Sequence, residues 1–352
     1  MKKLIAMTLV CVLAMMVILS GCGSAAAPAA EAPAAAPAAD AAPAADEMGE
    51  VTLKFGHHYA NDSVFGDIAN DFKNTVEEKS GGKITVEVYS DSVLGTEEQL
   101  IEQLQGGTVD LTITGTMLQT TVPMLGIVQG PFLFESWEHA KGVMTGDLGK
   151  EIYAMFEQGG LKAICSFGEG FREFVLVNPI NSMDDFKGYR MRMASYKNML
   201  ALADSLGCAT TNSPMGDVFT SLQTGVFDGC DAVYTAITAY SWQEPANYVL
   251  ESNHAFSASA VCISTKTWDK LSDAQKAVIE EACTEVSDRA WAVAEQNEAD
   301  AKAAVLDAGV ELIVPSEEFH DQMVEATYSV WKDMFANVDG MEDLYNRIKD
   351  AA

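Results

Sequence analysis

Arginine is scarce in this chain. There are five among 352 residues, and Lys plus Arg number 22 against 51 Asp and Glu, a formal charge of −29. So anionic a balance repels nucleic acid and anionic lipid surfaces and favours solubility, while saying nothing about fold. Cysteine is sparse as well: Cys11, Cys22, Cys165, Cys208, Cys230, Cys262 and Cys283, with no C-x-x-C pair. Setting aside the first two, the remaining five are odd in number and widely spaced. That argues against a disulfide framework or a zinc site. It leaves room for one disulfide but favours buried free thiols acting as small apolar residues. There is no G-x-S-x-G elbow and no G-x-x-x-x-G-K-[ST] loop, so the usual marks of a serine hydrolase or a phosphate-binding loop are missing. Beyond Cys22 no uninterrupted run of about 18 apolar residues occurs, and nothing there should span a membrane.

What is present begins with "MKKLIAMTLVCVLAMMVILSGC". Lys2 and Lys3 precede an apolar run from Leu4 to Leu19, the pattern of an export signal, and the run is short of the about 20 residues a span needs. Leu19-Ser20-Gly21-Cys22 resembles the lipobox of bacterial lipoproteins, in which the Cys thiol is diacylated. Residues 1–21 are therefore expected to be a lipoprotein signal peptide and Cys22 the site of lipid attachment. Residues 22–49 are almost all Ala and Pro with a few acids, with Pro28, Pro33, Pro37 and Pro43 spread along them. Such a tract has nothing with which to build a core and reads as an extended linker at about 3.1 Å per residue.

The body from Glu50 onward is too long for one ordinary core and predicts two lobes. Alternation of Val51, Leu53 and Phe55 predicts a strand, and so does alternation of Ile84, Val86 and Val88. Phe65, Ile68, Ala69, Phe72 and Val76 share one helical face. A second helix opens at an N-cap on Thr96, with acids in its first turn. With "VDLTITG" as a third strand, this is an α/β lobe with a largely parallel sheet. "FREFVLVN", "SYKNMLALADSLGC" and "DVFTSLQTGVFDG" repeat the style as strand, helix, and helix before a short strand. From Ser272 to Ala308 there is no Gly or Pro, and Ser272 with Gln275 forms a capping box. One unbroken helix there would be about 54 Å long and could brace both lobes; a kinked or divided helix is the alternative. "SEEFHDQMVEATYSVWKDMF" reads as a further amphipathic helix. The expected architecture is thus a two-lobed α/β fold. The first lobe takes 50–169 plus about 258–297, and the second about 170–257 plus 298–352.

Three of the five arginines fall within "REFVLVNPINSMDDFKGYRMRM": Arg172, Arg190 and Arg192. Guanidinium keeps its charge when partly buried and matches a carboxylate with a planar fork. On a strand Arg190 and Arg192 share a face, opposite Tyr189, Met191 and Met193. Composition alone divides evenly between an anion site and surface pairing with the many acids. His57 and His58 are adjacent on a strand, so they face opposite ways and make no bidentate metal pair. Cys165 reads as a core thiol, and Asp184-Asp185 as turn chemistry. Trp242 reads as a core aromatic rather than a stacking platform.

The order of motifs resembles one family. "LKFGHHYANDS", "GGKITVEVYSDSVLGTEEQLIEQLQGGTVDLTI", "GPFLFESWEHAKGVMTGDLG", "GEGFREFVLVNPINSMDDFKGYRMRM", "SLQTGVFDG" and "LSDAQKAVIEEA" follow one another as in the solute-binding proteins of tripartite ATP-independent periplasmic (TRAP) transporters of the DctP type. The resemblance covers about residues 51–335. It implies a periplasmic-binding-protein-like fold with a hinged cleft and a long helix touching both lobes. It further implies a small carboxylate as ligand, delivery to a membrane permease, and no catalytic residue, metal or cofactor. In "GYRMR" Arg192 takes the family's carboxylate-clamping position and Arg190 a structural one, while Arg172 matches a second ligand-facing arginine. His58, Thr114, Thr116 and Met215 match positions that line the cleft. Ala232 and Val233 stand where the family often has Asn-Pro, with Asp231 or Tyr234 as the replacement for the lost contact. The ligand would be a dicarboxylate or another organic acid, and the protein a lipid-anchored extracytoplasmic monomer with no nucleic-acid partner. A ligand-presenting sensor subunit for a membrane kinase is the alternative.

Overall fold

The computed structural model describes residues 48–352. The expected signal peptide, Cys22 and nearly all of the Ala/Pro linker lie outside the described residues. The body opens as β1 (Val51–Gly56), α1 (Val64–Lys79), β2 (Ile84–Tyr89), α2 (Glu97–Gly106) and β3 (Leu111–Thr114). Local chemistry explains each boundary. Ser63 caps α1 by accepting the Gly66 N–H, and Thr96 and Gln99 form a reciprocal capping box at α2. β1 lies between β2 and β3, parallel to both, with α1 and α2 as the crossovers.

Next come α3 (Trp137–Thr145), α4 (Asp147–Ala154) and β4 (Leu161–Leu176). They are followed by β5 (Arg190–Met193), α5 (Lys197–Leu206), β6 (Ala209–Asn212), α6 (Val218–Gln223), β7 (Gly229–Val233) and α7 (Tyr234–Ala239). The chain then returns through β8 (Tyr248–Ser264) and α8 (Thr265–Trp268) into α9 (Asp273–Asp307). It closes with β9 (Glu311–Ile313), α10 (Glu317–Asn337) and α11 (Met341–Lys349).

The strands make one nine-stranded sheet in the order β2-β1-β3-β8-β4-β7-β5-β6, with β9 beside β8. β5 is parallel to both β6 and β7, so the second lobe repeats the parallel style of the first. The two groups are not separate parallel sheets, however. β4, with 16 residues, and β8, with 17, pair antiparallel from Leu161↔Ser264 to Leu176↔Tyr248 and carry the sheet from one lobe into the other. The start of β4 sits with the partners of β3, whereas Arg172–Leu176 pairs with β7. Register shifts fall between Ala163 and Cys165, Gly168 and Gly170, and Arg172 and Phe174. Slips of this kind bend a strand, so the lobes are joined by a bent two-stranded ribbon.

α9 forms as one helix of 35 residues, about 52 Å at 1.5 Å per residue. Ser272 and Gln275 cap it reciprocally. Its first half buries Val278, Ile279, Ala282, Cys283 and Val286 against the β1–β2–α1 core. Trp291 joins a second core, and Val305 packs in the second lobe with Phe227 and Val249. One part of the expected partition is corrected. Residues 298–352 do not all belong with the second lobe. α10 begins with Phe319 and Met323 against the β5–α5 core, but its end and α11 bury Trp331, Met334, Met341, Leu344 and Ile348 beside Leu118 and Phe134. His139 at the Ile348 carbonyl (2.8 Å) and Arg347 on Glu151 fix that docking. Among the described residues no helix is long and apolar enough to cross a membrane.

Candidate functional site

In open α/β sheets ligands gather outside the carboxyl ends of the strands. Here those ends converge on a cleft of about 480 Å³. His58 and Tyr59 follow β1, Asp91 and Ser92 follow β2, Ala194–Tyr196 follow β5, and Asn212 ends β6 with Ser213–Met215 after it. Ala232 and Val233 end β7, and the crossover strand β4 contributes Glu169 and Arg172.

Arg192 is 5 % exposed. Its Nε and Nη2 donate to the Ser213 carbonyl at 3.1 and 2.8 Å, and among the described residues no carboxylate lies within 4.0 Å of it. Burial presses its pKa downward, and the nearby Arg172 adds to this while Asp231 opposes it. A guanidinium remains charged under such pressure, so the cleft holds a desolvated cation whose remaining N–H donors have no partner of opposite charge.

Arg172 is similarly buried, at 8 % exposed, but its charge is paired. Its Nε donates to Asp231 Oδ2 at 2.5 Å, Nη2 to the Asp231 carbonyl and Nη1 to Ser257 Oγ, both at 3.2 Å. Asp231 is fully buried, accepts the Ala194 N–H at 3.0 Å, and has His254 Nε2 at 3.9 Å. Burial alone would raise the Asp231 carboxyl; Arg172 and His254 hold it well below the usual carboxylate range. Arg172 and Asp231 therefore line the cleft while spending their charges on each other.

Among the other expected contacts, His58 and Met215 line the cleft and Thr114, Thr116 and Tyr234 do not. Thr114 is buried behind the wall and donates to Glu97 Oε1 at 2.8 Å. Thr116 is turned to Gln129 at 2.7 Å. Tyr234 is the first residue of α7, and that turn carries its ring beneath Lys302, with Nζ 5.9 Å from the centroid. Arg190, half exposed, pairs with Asp228 through Nε at 2.9 Å and Nη2 at 2.5 Å.

Several lining residues were not foreseen. Glu97 read as an acid favouring a helix N-terminus, yet it is buried and its carboxyl is pushed up to about 8 by burial, against the Thr114 hydrogen bond. His58 stands 3.9 Å from it but is driven down to about 3, by burial first and then by His57, so it gives no cationic partner. Glu169 accepts from Ser259 Oγ and is likewise raised by burial. A lone acid between glycines in "GEGFR" was its only signal in the sequence. Tyr59 stacks on Phe65 at 3.7 Å to form an aromatic wall, and Tyr196, Tyr240 and Trp242 extend it. His58 Nδ1, Ser213 Oγ and Trp242 Nε1 are buried with no partner among the described residues.

A two-lobed frame, a bent double-stranded connection and a cleft holding a buried cation with no acid partner among the described residues are the features of a solute receptor. Residues 55–338 match the family described as bacterial extracellular solute-binding protein, family 7 (DctP), and the chain belongs to that family, the extracytoplasmic receptors of TRAP transporters. It is 27 % identical over 82 % of its length, and 85 % of the relative's, to the C4-dicarboxylate-binding periplasmic protein DctP of Rhodobacter capsulatus. Among solved structures it resembles a TRAP periplasmic solute-binding protein of Haemophilus influenzae with bound L-gulonate. That match has 29 % identity and a TM-score of 0.82, and covers 86 % of this chain and 99 % of the other. It also resembles the sugar acid binding protein DctPAm of Advenella mimigardefordensis in complex with galactonate, with 26 % identity and a TM-score of 0.82, covering 87 % and 100 %.

Proposed function

We propose that this receptor captures a polyhydroxylated monocarboxylate, a sugar acid, by its carboxylate on Arg192 and delivers it to the membrane permease without chemical change. The observation that carries the reading is a buried guanidinium inside the cleft with no acid partner among the described residues. An Arg–carboxylate pair gains strength when water is excluded, and the solute shifts the receptor toward the closed form by its differential affinity for that form. The rest of the cleft favours hydroxyls over a second acid. Glu97, Glu98, Glu169 and Asp91 line it; the oxygens of all four accept from hydroxyls, and Glu98 and Asp91 oppose another carboxylate. The two solved relatives hold gulonate and galactonate, which fits this chemistry. Ala232, with no hydrogen-bonding side chain, leaves Asn212, Ser213 and the aromatic wall to orient the polyol.

The lobes in this reading meet at the register shifts of β4, with 50–169 and about 258–297 on one side and about 170–257 on the other. Cys22 carries the lipid anchor, and the receptor works as a monomer. Cys22→Ala should release the protein from the membrane fraction, and a variant that stays membrane-bound removes the anchor from the account. The solute assignment is tested by calorimetry with L-gulonate, D-galactonate and succinate. The sugar acids should bind and succinate should bind more weakly. Tighter binding of succinate, or no binding of either sugar acid, overturns it.

A further inference from the structure

Two glycines in the crossover strand show where the long helix presses on it. A Cβ on Gly168 would lie 2.6 Å from the Trp291 ring, and one on Gly170, at φ +126°, 2.6 Å from Glu298 Oε1. Trp291 and Glu298 are seven residues apart, two turns along one face of α9. Glu298 reaches β4 between two of its register shifts. There Oε1 accepts the Phe171 N–H at 2.8 Å and Oε2 accepts the Trp137 indole N–H. One carboxylate thus ties α9, β4 and α3 together. It is 8 % exposed, and among the described residues no cation lies within 4.0 Å, because Lys302 one turn on reaches Glu251 instead. The next residue along β4 is Arg172, whose guanidinium holds Asp231, and Asp231 in turn holds the Ala194 N–H just past Arg192's strand. The backbone at Phe171 is therefore linked to the cleft wall through Arg172 and consecutive hydrogen bonds.

We propose that Glu298 is a positioning residue for solute capture: its carboxylate pins the irregular stretch of β4 to α9 and so sets where Arg172 and Asp231 stand in the cleft. This rests on the solute-receptor reading above. Both groups on the carboxylate are N–H donors, so the pin needs the ionised form; an added proton would set O–H against N–H. Burial raises the Glu298 carboxyl to about 7, against the hydrogen bonds from Trp137 and Phe171 and the charge of Lys302, with Glu251 of β8 adding to the rise. Glu173 of β4, itself raised by burial, Tyr234 of α7 and Lys141 of α3 complete the titratable surroundings. The pin is complete above about pH 7 and loosens as pH falls through that value.

The test uses the wild-type receptor, Glu298→Gln and Glu298→Asp. The Trp137 indole N–H resonance and the Kd for L-gulonate are followed from about pH 6 to about pH 8. The wild-type resonance should titrate near pH 7, and the Gln variant should lose that titration. At the upper end Glu298→Gln should weaken gulonate binding by about tenfold, with a smaller difference at the lower end and little change in Tm. Glu298→Asp, one methylene short of the strand, should not restore the affinity. A flat wild-type resonance, or a Gln variant with wild-type Kd at every pH, overturns the proposal. If wild type binds no gulonate the solute reading falls, and the indole titration alone then decides whether the pin exists.

Discussion

Arg172 and Arg192 lie twenty residues apart on neighbouring parts of one sheet, both buried and both lining one cleft, yet their surroundings are opposite. Arg172 on β4 is neutralised by a carboxylate of the chain itself, and its hydrogen bonds are used within the wall. Among the described residues, Arg192 on β5 donates only to a backbone carbonyl. Removing a cation from water costs several kcal/mol, and a stable fold normally supplies the counter-charge. At Arg172 it does. At Arg192 the cost stands largely uncompensated, and a ligand carboxylate would offset it. The difference teaches that burial of a charge does not by itself locate a binding group; what decides is whether the protein has already answered that charge.

The largest expected effect follows from breaking the answered pair. Arg172→Ala leaves the buried Asp231 to His254, 3.9 Å away, and the Ala194 N–H, and loss of one partner of a buried pair costs about 3–5 kcal/mol. Chemical denaturation should show that loss in the unliganded protein, and the double variant Arg172→Leu with Asp231→Leu should recover part of it. A single variant as stable as wild type would show that His254 and the Ala194 N–H suffice for Asp231 and that the contrast between the two arginines is wrong.

Arg192→Ala should do the reverse. Stability without ligand should hold or rise slightly, because an uncompensated buried cation is removed. Affinity for the solute should fall by about 2–5 kcal/mol, the usual loss for one partner of a buried charge pair. Calorimetry and thermal unfolding on the same samples separate the two effects. Near-wild-type affinity in a folded variant would remove Arg192 from the site. Arg192→Lys, which keeps the charge but lacks the fork, should recover only part of the binding.

Glu97 offers the same contrast in the opposite sign. Among the described residues it has no cationic partner, its neighbour His58 being held neutral, and its carboxyl stands near 8 instead of its ordinary 4.5. The folded state therefore keeps a proton that the unfolded chain gives up, and stability should fall as pH rises between those two values. Glu97→Gln retains the acceptor for Thr114 and removes this dependence. It should be more stable than wild type at pH 8 by about 1–3 kcal/mol and little different at pH 5. Parallel stability profiles for the two proteins would mean that Glu97 is ionised in the fold.

The sequence disclosed what local chemistry controls. α9 was legible from its capping box and its freedom from Gly and Pro; the alternation around Arg192 showed which strand face it takes, while its proposed role came from the family resemblance. β8 was not, because both faces of "YVLESNHAFSASAVCIS" are buried and its Ser- and Ala-rich run shows no alternation. Tyr234 was offered through the resemblance as a replacement for the family's Asn contact, but it begins α7, and that turn takes its ring away from the cleft. The docking of α11 depends on Arg347, His139 and the Trp331 environment, contacts distant in sequence that no periodicity reveals. Glu97 was visible but given the wrong role, since an acid in a helix's first turn looks the same whether it faces solvent or a cleft.

The smallest effect is expected from the third arginine of the cluster, and it completes the comparison. Arg190 precedes Arg192 by two residues and shares its face of the strand, but its side chain is 49 % exposed and already engages Asp228. An ion pair open to water on one side contributes about 0–1 kcal/mol, because solvent screens it and two side chains must be ordered. Arg190→Ala should therefore change stability by no more than that and leave the solute Kd unchanged, with the residual stability effect shrinking as salt is raised. A tenfold loss of affinity would show that the edge of β5 positions Arg192, and the distinction between answered and unanswered cations would then have to include the strand that carries them.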